Sequence, residues 1–189
     1  MDKKEYILVE NMEWYEKLHD YFPEHEMKDP HQLVDLLEET DVYHIKETDS
    51  YIVLYAEFTT FIFIDYLLVT PHSRSRGIGS RVLNSLKTKG KMILLEAEPN
   101  DPDNEDTRRR LAFYKKNGFK KADRIMYAPE DFDGHPYPMH ILYWSPVELE
   151  EEIIMGRMEK ACKEIHNFKS KQYYGRVLVD PDKALKLLH

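Results

Sequence analysis

The chain has a single cysteine, Cys162, which excludes an internal disulfide and leaves no cysteine pair to hold zinc. It is also short of positive charge: lysine and arginine number 27 against 35 acidic residues, for a formal charge of −8. A surplus of that sign repels phosphate backbones and anionic lipid, so no nucleic-acid or membrane partner is expected. Arg108-Arg109-Arg110 is too short and isolated to act as a basic patch. No apolar run nears the ~18–20 residues that span a bilayer. The opening Met1-Asp2-Lys3-Lys4-Glu5-Tyr6 has neither the apolar stretch nor the cleavage site of a signal peptide. The 9 histidines show no HExxH or close H-x-H spacing, so no metal is expected. What remains is 189 residues, 42% hydrophobic and 12% aromatic, enough to build a core in one domain with an appended element. The expectation is a cytoplasmic globular protein.

Apolar periodicity divides the chain into alternating elements. Residues 4–10 read as a short strand, and Met12, Tyr15, Leu18 and Phe22 recur at helical spacing up to Pro23. A second helix is expected from Asp29-Pro30, with aspartate as N-cap, proline in the first turn and Gln32 placed to complete a capping box. Residues 41–48, 51–58 and 61–69 read as three successive strands, the last two rich in β-branched and aromatic residues. From Gly77 the period becomes helical, with Ile78, Val82, Leu83 and Leu86 on one face and a stop near Gly90. Met92-Ile93-Leu94-Leu95 suits a strand buried on both faces. Residues 105–117 read as a helix, and 119–127 and 138–145 as two weaker strands around an irregular, proline-containing stretch.

Ser145-Pro146-Val147-Glu148 carries the signature of a further helix start. Val147, Ile154, Met158, Ala161, Cys162 and Ile165 supply an apolar face over residues 146–167, with Cys162 reading as core packing. That face needs a partner, either the body of its own chain or a second subunit in a homodimer. The whole pattern predicts a mixed α/β sheet, a domain over 1–145 and a helical extension over 146–189 packed on it.

Between the third strand and the next helix, two of the chain's 7 glycines, Gly77 and Gly79, stand two residues apart. A turn into a helix leaves several backbone N–H groups unpartnered at the positive end of the helix dipole. Without side chains at Gly77 and Gly79 an anion can approach that backbone, and Arg74, Arg76 and Arg81 would reinforce it. A phosphate or pyrophosphate is the guest this favours; an ordinary turn is the rival reading. The third glycine of a dinucleotide fingerprint is replaced by Val82, and the Gly-Lys-Ser/Thr of a P-loop is absent.

Arg74-x-x-Gly77-x-Gly79, preceded by Leu68-Val69 and followed by an amphipathic helix, resembles the acetyl-CoA motif of the GNAT N-acetyltransferase superfamily. Ala112-Phe113-Tyr114-Lys115-Lys116-Asn117-Gly118-Phe119 resembles that family's helix ending in Tyr-x-x-x-Gly-Phe, in the family's order and with one strand between. Within the superfamily the chain is similar to a bacterial YjbC-like branch. The resemblance leaves out the C-terminal extension. It implies the acyl-CoA N-acyltransferase fold, a mixed and mostly antiparallel sheet flanked by helices. It implies acetyl transfer from acetyl-CoA, as co-substrate, to an amine of a small molecule or protein in a ternary complex. Backbone amides of Arg74, Ser75, Arg76, Gly77, Ile78, Gly79 and Ser80 would hold the pyrophosphate. The strand edge at Leu68 and Val69 would pair with the pantetheine arm and offer an amide to the acetyl carbonyl. Tyr114 would protonate the departing thiolate, and Asp65, or Glu96 or Glu98 on the neighbouring strand, would take the amine's proton.

Each of these residues has a plainer reading. Tyr114 is one of 13 tyrosines and would serve as a packing aromatic on its helix. Asp65 lies among Phe61, Ile62, Phe63, Ile64 and Tyr66, where a buried carboxylate needs a structural partner. Glu96 and Glu98 begin an acidic run that suits a solvated loop and a helix N-terminus. Two positions depart from the family pattern: Thr107 replaces a common asparagine that touches the pantetheine arm, and Arg110 replaces a common alanine. A non-catalytic GNAT-like module, binding an acyl-CoA or a protein, is the competing expectation.

Overall fold

The computed structural model describes residues 12–189, so the strand expected at 4–10 lies outside the described residues. Helix α1 (Glu13–His19) buries Trp14 and Leu18, and a 3₁₀ turn follows at Glu24–Glu26. Helix α2 (Pro30–Glu39) starts on Asp29 as expected, whose side chain accepts from the His31 amide at 2.8 Å. Gln32 does not close the capping box. The Tyr174 hydroxyl sits between its two halves, accepting from the Asp29 amide at 2.6 Å and donating to Gln32 Oε1 at 2.7 Å. The Gln32 side-chain amide in turn donates to the carbonyls of His166 and Phe168. A local capping signal has become a buried anchor for the C-terminal segment.

Strands β1 (Tyr43–Glu47), β2 (Tyr51–Glu57) and β3 (Phe61–Val69) form an antiparallel meander. A 3₁₀ turn (Pro71–Ser73) leads to α3 (Ile78–Lys87), then β4 (Met92–Ala97) and α4 (Glu105–Lys116). Next come β5 (Lys120–Lys121), β6 (Ile125–Tyr127) and β7 (His140–Trp144). The stretch expected as one strand at 119–127 is therefore two. A turn closed by the Ile125 amide on the Ala122 carbonyl, at 3.3 Å, separates them. The chain ends with α5 (Glu151–Ala161), a π turn (Cys162–His166), α6 (Ser170–Tyr174), α7 (Pro181–Ala184) and β8 (Leu185–Leu187).

Ser145 is not the cap of α5; Glu150 is. The Ser145 hydroxyl accepts from the Val147 amide at 3.3 Å, yet Val147 is 64% exposed and lies outside the helix. Burial on this helix begins at Ile154, because tertiary packing and not the local cap decides where it starts.

Six strands make one sheet in the order β1-β2-β3-β4-β7-β5, with β6 and β8 as a separate pair. The β3–β4 pair is parallel and the other neighbours are antiparallel, the mixed, mostly antiparallel architecture expected. On one face lie α1, α2 and the C-terminal segment, which buries Ile154, Met158, Ala161, Cys162 and Ile165 against Phe63, Leu94 and their neighbours. On the other face α3 and α4 contribute Val82, Leu83, Leu86 and Tyr114 against Ile62, Ile93 and Leu95.

Two irregularities open this sheet. The β2–β3 register passes from Leu54↔Tyr66 to Tyr55↔Ile64, leaving Asp65 as the extra residue of a β-bulge. The β3–β4 register stops at Ile64↔Leu95, although β3 runs on to Val69 and β4 continues against β7 through Ala97. Beyond that point the two parallel strands part, and a cleft enters the sheet between them.

Candidate active site

The cleft belongs to a cavity of about 710 Å³ that reaches both faces of the sheet. Its first wall is the end of β3. Ile64, Asp65, Tyr66, Leu67 and Val69 line it, while the Leu68 side chain packs into the core and has only its backbone to offer. Past Ile64 the backbone on this edge has no strand partner, so its amides and carbonyls can take a ligand's polar groups.

The β3–α3 connection supplies the next wall. Ser75 (φ 63°) and Gly77 (φ 71°) are both left-handed, a turn geometry that forms concave arrays of N–H groups able to take anions. Gly77 is the N-cap of α3 and no side chain caps the helix, which leaves the first-turn amides without an intrahelical partner. A Cβ on Gly77 would meet nothing within 4 Å, so its conformation is what requires glycine. Gly79 is different. A Cβ there would come within 2.8 Å of Phe113 Cζ, so this glycine lets α3 pack closely on α4. Arg74 lines the cavity, donates from Nε to the Val69 carbonyl at 3.3 Å, and lies over the Tyr21 ring. Arg76 is exposed, and Arg81 braces the loop by donating to the Arg76 carbonyl at 2.9 Å.

Helix α4 contributes Tyr114, buried at 6% exposure and held edge-on by Phe113 and Phe119. Burial raises its hydroxyl well above the usual phenol range, opposed by Arg110 and assisted by Tyr21, so it stays protonated and able to donate. Thr107 is used locally: its hydroxyl accepts from the Asp101 amide at 2.9 Å and donates to the Asn104 carbonyl at 2.7 Å. Arg110 lines the cavity, 3.7 Å from Glu98 and over the Phe22 ring.

On the opposite face the bulge pair clamps the segment ahead of α2. Asp65 accepts from Lys28 Nζ at 2.6 and 2.9 Å and from the Tyr43 hydroxyl at 2.6 Å. Both members of this ion pair are 4% exposed. The Tyr66 hydroxyl donates to the Glu26 carbonyl at 2.7 Å and accepts from the Lys28 amide at 3.0 Å. Asp65 is thus already partnered, and with Tyr66 it fixes Glu26 over the cleft.

Glu96 lies 3.1 Å from His166 Nε2, the last residue of the π turn. Burial pushes its carboxyl upward, but His166, Tyr127 and Lys28 outweigh that and hold it below the ordinary range. Glu26 shows the reverse. Burial and the neighbouring carboxylates Glu98 and Glu96 push it up to about 8, against the pull of Arg110. Ligand-type atoms of His25, Glu26 and Glu98 come within 4.8 Å of one another. The Arg110 guanidinium lies beside this group, 3.7 Å from a Glu98 carboxylate oxygen.

The cavity therefore joins predicted and unpredicted residues. Val69, Arg74, Ser75, Gly77, Ile78, Gly79, Ser80 and Tyr114 line it together with Asp65 and Glu96. Glu26, Lys28 and His166 were not legible, since no motif or spacing links positions so far apart in the chain. His166, Leu178 and Val179 also bring the C-terminal segment into the wall.

The acetyltransferase (GNAT) domain family matches residues 39–121. The Bacillus subtilis (strain 168) protein YjbC, which carries an acetyltransferase name, is 41% identical over 179 residues, spanning 94% of this chain and 93% of that protein. A Bacteroides thetaiotaomicron structure named as a GNAT-family acetyltransferase superposes with a TM-score of 0.67 at 22% identity, covering 89% of this chain and 94% of that one. Arabidopsis thaliana Naa50, solved with the bisubstrate analogue CoA-Ac-MVNAL, gives 0.52 at 19% identity over 77% of this chain and 95% of its own. The two structures bear on the fold. The relationship to YjbC spans nearly the whole sequence, and with it the chain belongs to the GNAT acetyltransferases, on the YjbC branch, and is an acyltransferase.

Proposed function

We propose that this chain transfers the acetyl group of acetyl-CoA to a primary amine by direct attack within a ternary complex. The observation that carries this reading is the parting of β3 and β4, which joins two chemically different half-sites through the sheet. One half presents the left-handed turn at Gly77, the uncapped N-terminus of α3 and the cations Arg74, Arg109 and Lys116, a setting for phosphate groups. The other half presents Glu26 and Glu96 among aromatic side chains, a setting for an ammonium group.

In this reading the first-turn amides of α3 hold the pyrophosphate, and the open edge of β3 from Leu67 to Val69 aligns the pantetheine arm. An amide on that edge donates to the acetyl carbonyl oxygen as charge develops on it. Tyr114 supplies a proton to the departing sulfur. Asp65 acts as a positioning residue through Lys28 and Tyr43. The test is transfer from acetyl-CoA to 2-phenylethylamine, spermidine, kanamycin and an alanine-led peptide, with product identified by mass. Transfer to any of them supports the reading; binding of acetyl-CoA with no transfer supports the non-catalytic alternative.

A further inference from the structure

Among the described residues, two buried side-chain polar atoms lack a hydrogen-bond partner, the Trp14 indole nitrogen and Glu26 Oε1. Of these two residues, Glu26 lines the cavity. A buried acceptor left unpaired is costly, and such a group calls for a ligand that supplies the missing donor. The other candidate carboxylates are already matched: Asp65 by Lys28 and Tyr43, Glu96 by His166. The backbone that carries Glu26 is tied to Tyr66, whose hydroxyl donates to the Glu26 carbonyl and accepts from the Lys28 amide, so the residue's main chain is held beside the cavity before any ligand arrives.

We propose that Glu26 receives the acceptor: its carboxylate binds the ammonium group of the incoming amine and takes one proton from it. This deepens the acetyl-transfer reading and rests on it. The proton leaves the nitrogen for a Glu26 oxygen and then passes to solvent. The freed lone pair attacks the acetyl carbonyl, forming the C–N bond as the C–S bond breaks. The nitrogen's second surplus proton ends on the sulfur, with Tyr114 giving one proton and regaining another. One proton is released per turnover and no other reactant is consumed.

The surroundings fit this task. Glu96, Glu98 and Arg110 face the carboxyl from β4, the loop after it and α4; Tyr66 and Tyr137 face it from β3 and the 128–139 segment, with His25 beside it. A carboxyl that keeps its proton near neutrality in the free protein becomes a base matched to slightly alkaline conditions. An arriving ammonium stabilises its ionised form.

The experiment compares the wild type with Glu26→Gln and Glu26→Asp, using acetyl-CoA and the four amine probes above. The expected result is a drop in kcat/KM of roughly 100-fold or more for Glu26→Gln, with partial rescue by Glu26→Asp. The acid limb of the kcat/KM profile should vanish in Glu26→Gln, while the acetyl-CoA-induced rise in melting temperature is kept. Transfer by Glu26→Gln within about threefold of wild type, or an unchanged acid limb, overturns this proposal alone. Failure of the wild type to acetylate any probe while it binds acetyl-CoA overturns the acetyl-transfer reading, and this proposal falls with it.

Discussion

Glu26→Gln should also change how stability depends on pH, by an amount the structure allows to be worked out. Glu26 has an ordinary value of 4.5 and is pushed up to about 8 in the fold. Below 4.5 the carboxyl is neutral in both folded and unfolded chains, and its burial carries no ionisation penalty. As pH rises the unfolded chain ionises first, so wild-type stability falls until the folded carboxyl ionises as well, near 8. Each unit of difference corresponds to ~1.4 kcal/mol, giving an upper limit of about 5 kcal/mol across that window. Water in the cavity screens part of this and leaves about 2–3 kcal/mol. For a chain of this size that corresponds to about 5–10 °C in melting temperature. Glutamine keeps the shape and cannot ionise, so the variant's advantage should grow steadily between about pH 5 and pH 8. Parallel thermal melts at half-unit intervals measure it. A melting-temperature difference that stays constant with pH refutes the reasoning.

Other perturbations separate the parts of the site. Tyr114→Phe should fold normally and bind acetyl-CoA as wild type, yet lose roughly 100-fold or more in turnover; equal turnover makes Tyr114 a packing residue. In Gly77→Val the Cβ meets no neighbour, but a branched side chain is forced into φ 71°, which should abolish the rise in melting temperature that acetyl-CoA gives the wild type. Gly79→Ala should instead lower stability without ligand, because its Cβ would press on Phe113; calorimetry tells the two apart. Truncation after Ser145 removes Ile154, Met158 and Ile165, all fully buried, and strand β8. At ~1.5–3 kcal/mol for each large apolar side chain, that loss rivals the whole stability of a domain. The truncated protein should aggregate on expression; a soluble, equally stable product refutes this.

Much of the fold was legible because it depends on short-range signals. The strand runs, the apolar face at Val82, Leu83 and Leu86, and the pairing of Gly77 with a following helix are local patterns, and they sufficed for the architecture and for the turn at the start of α3. Other features needed the assembled chain. The capping box at Asp29 and Gln32 was open to Tyr174, and the Ser145 cap was overruled because burial of α5 begins at Ile154. Asp65 could be recognised as a carboxylate in need of a partner, but only the bulge in β3 brings it to Lys28. Glu26, Glu96 and His166 stand far apart in the chain and share no spacing rule. They meet because β3 and β4 part, the bulge pair clamps residues 26–28, and the π turn lays its last residue against β4. Local periodicity determines which element a residue joins. Which charges face one another, and which carboxyl oxygen is left without a hydrogen bond, is decided only when those elements pack.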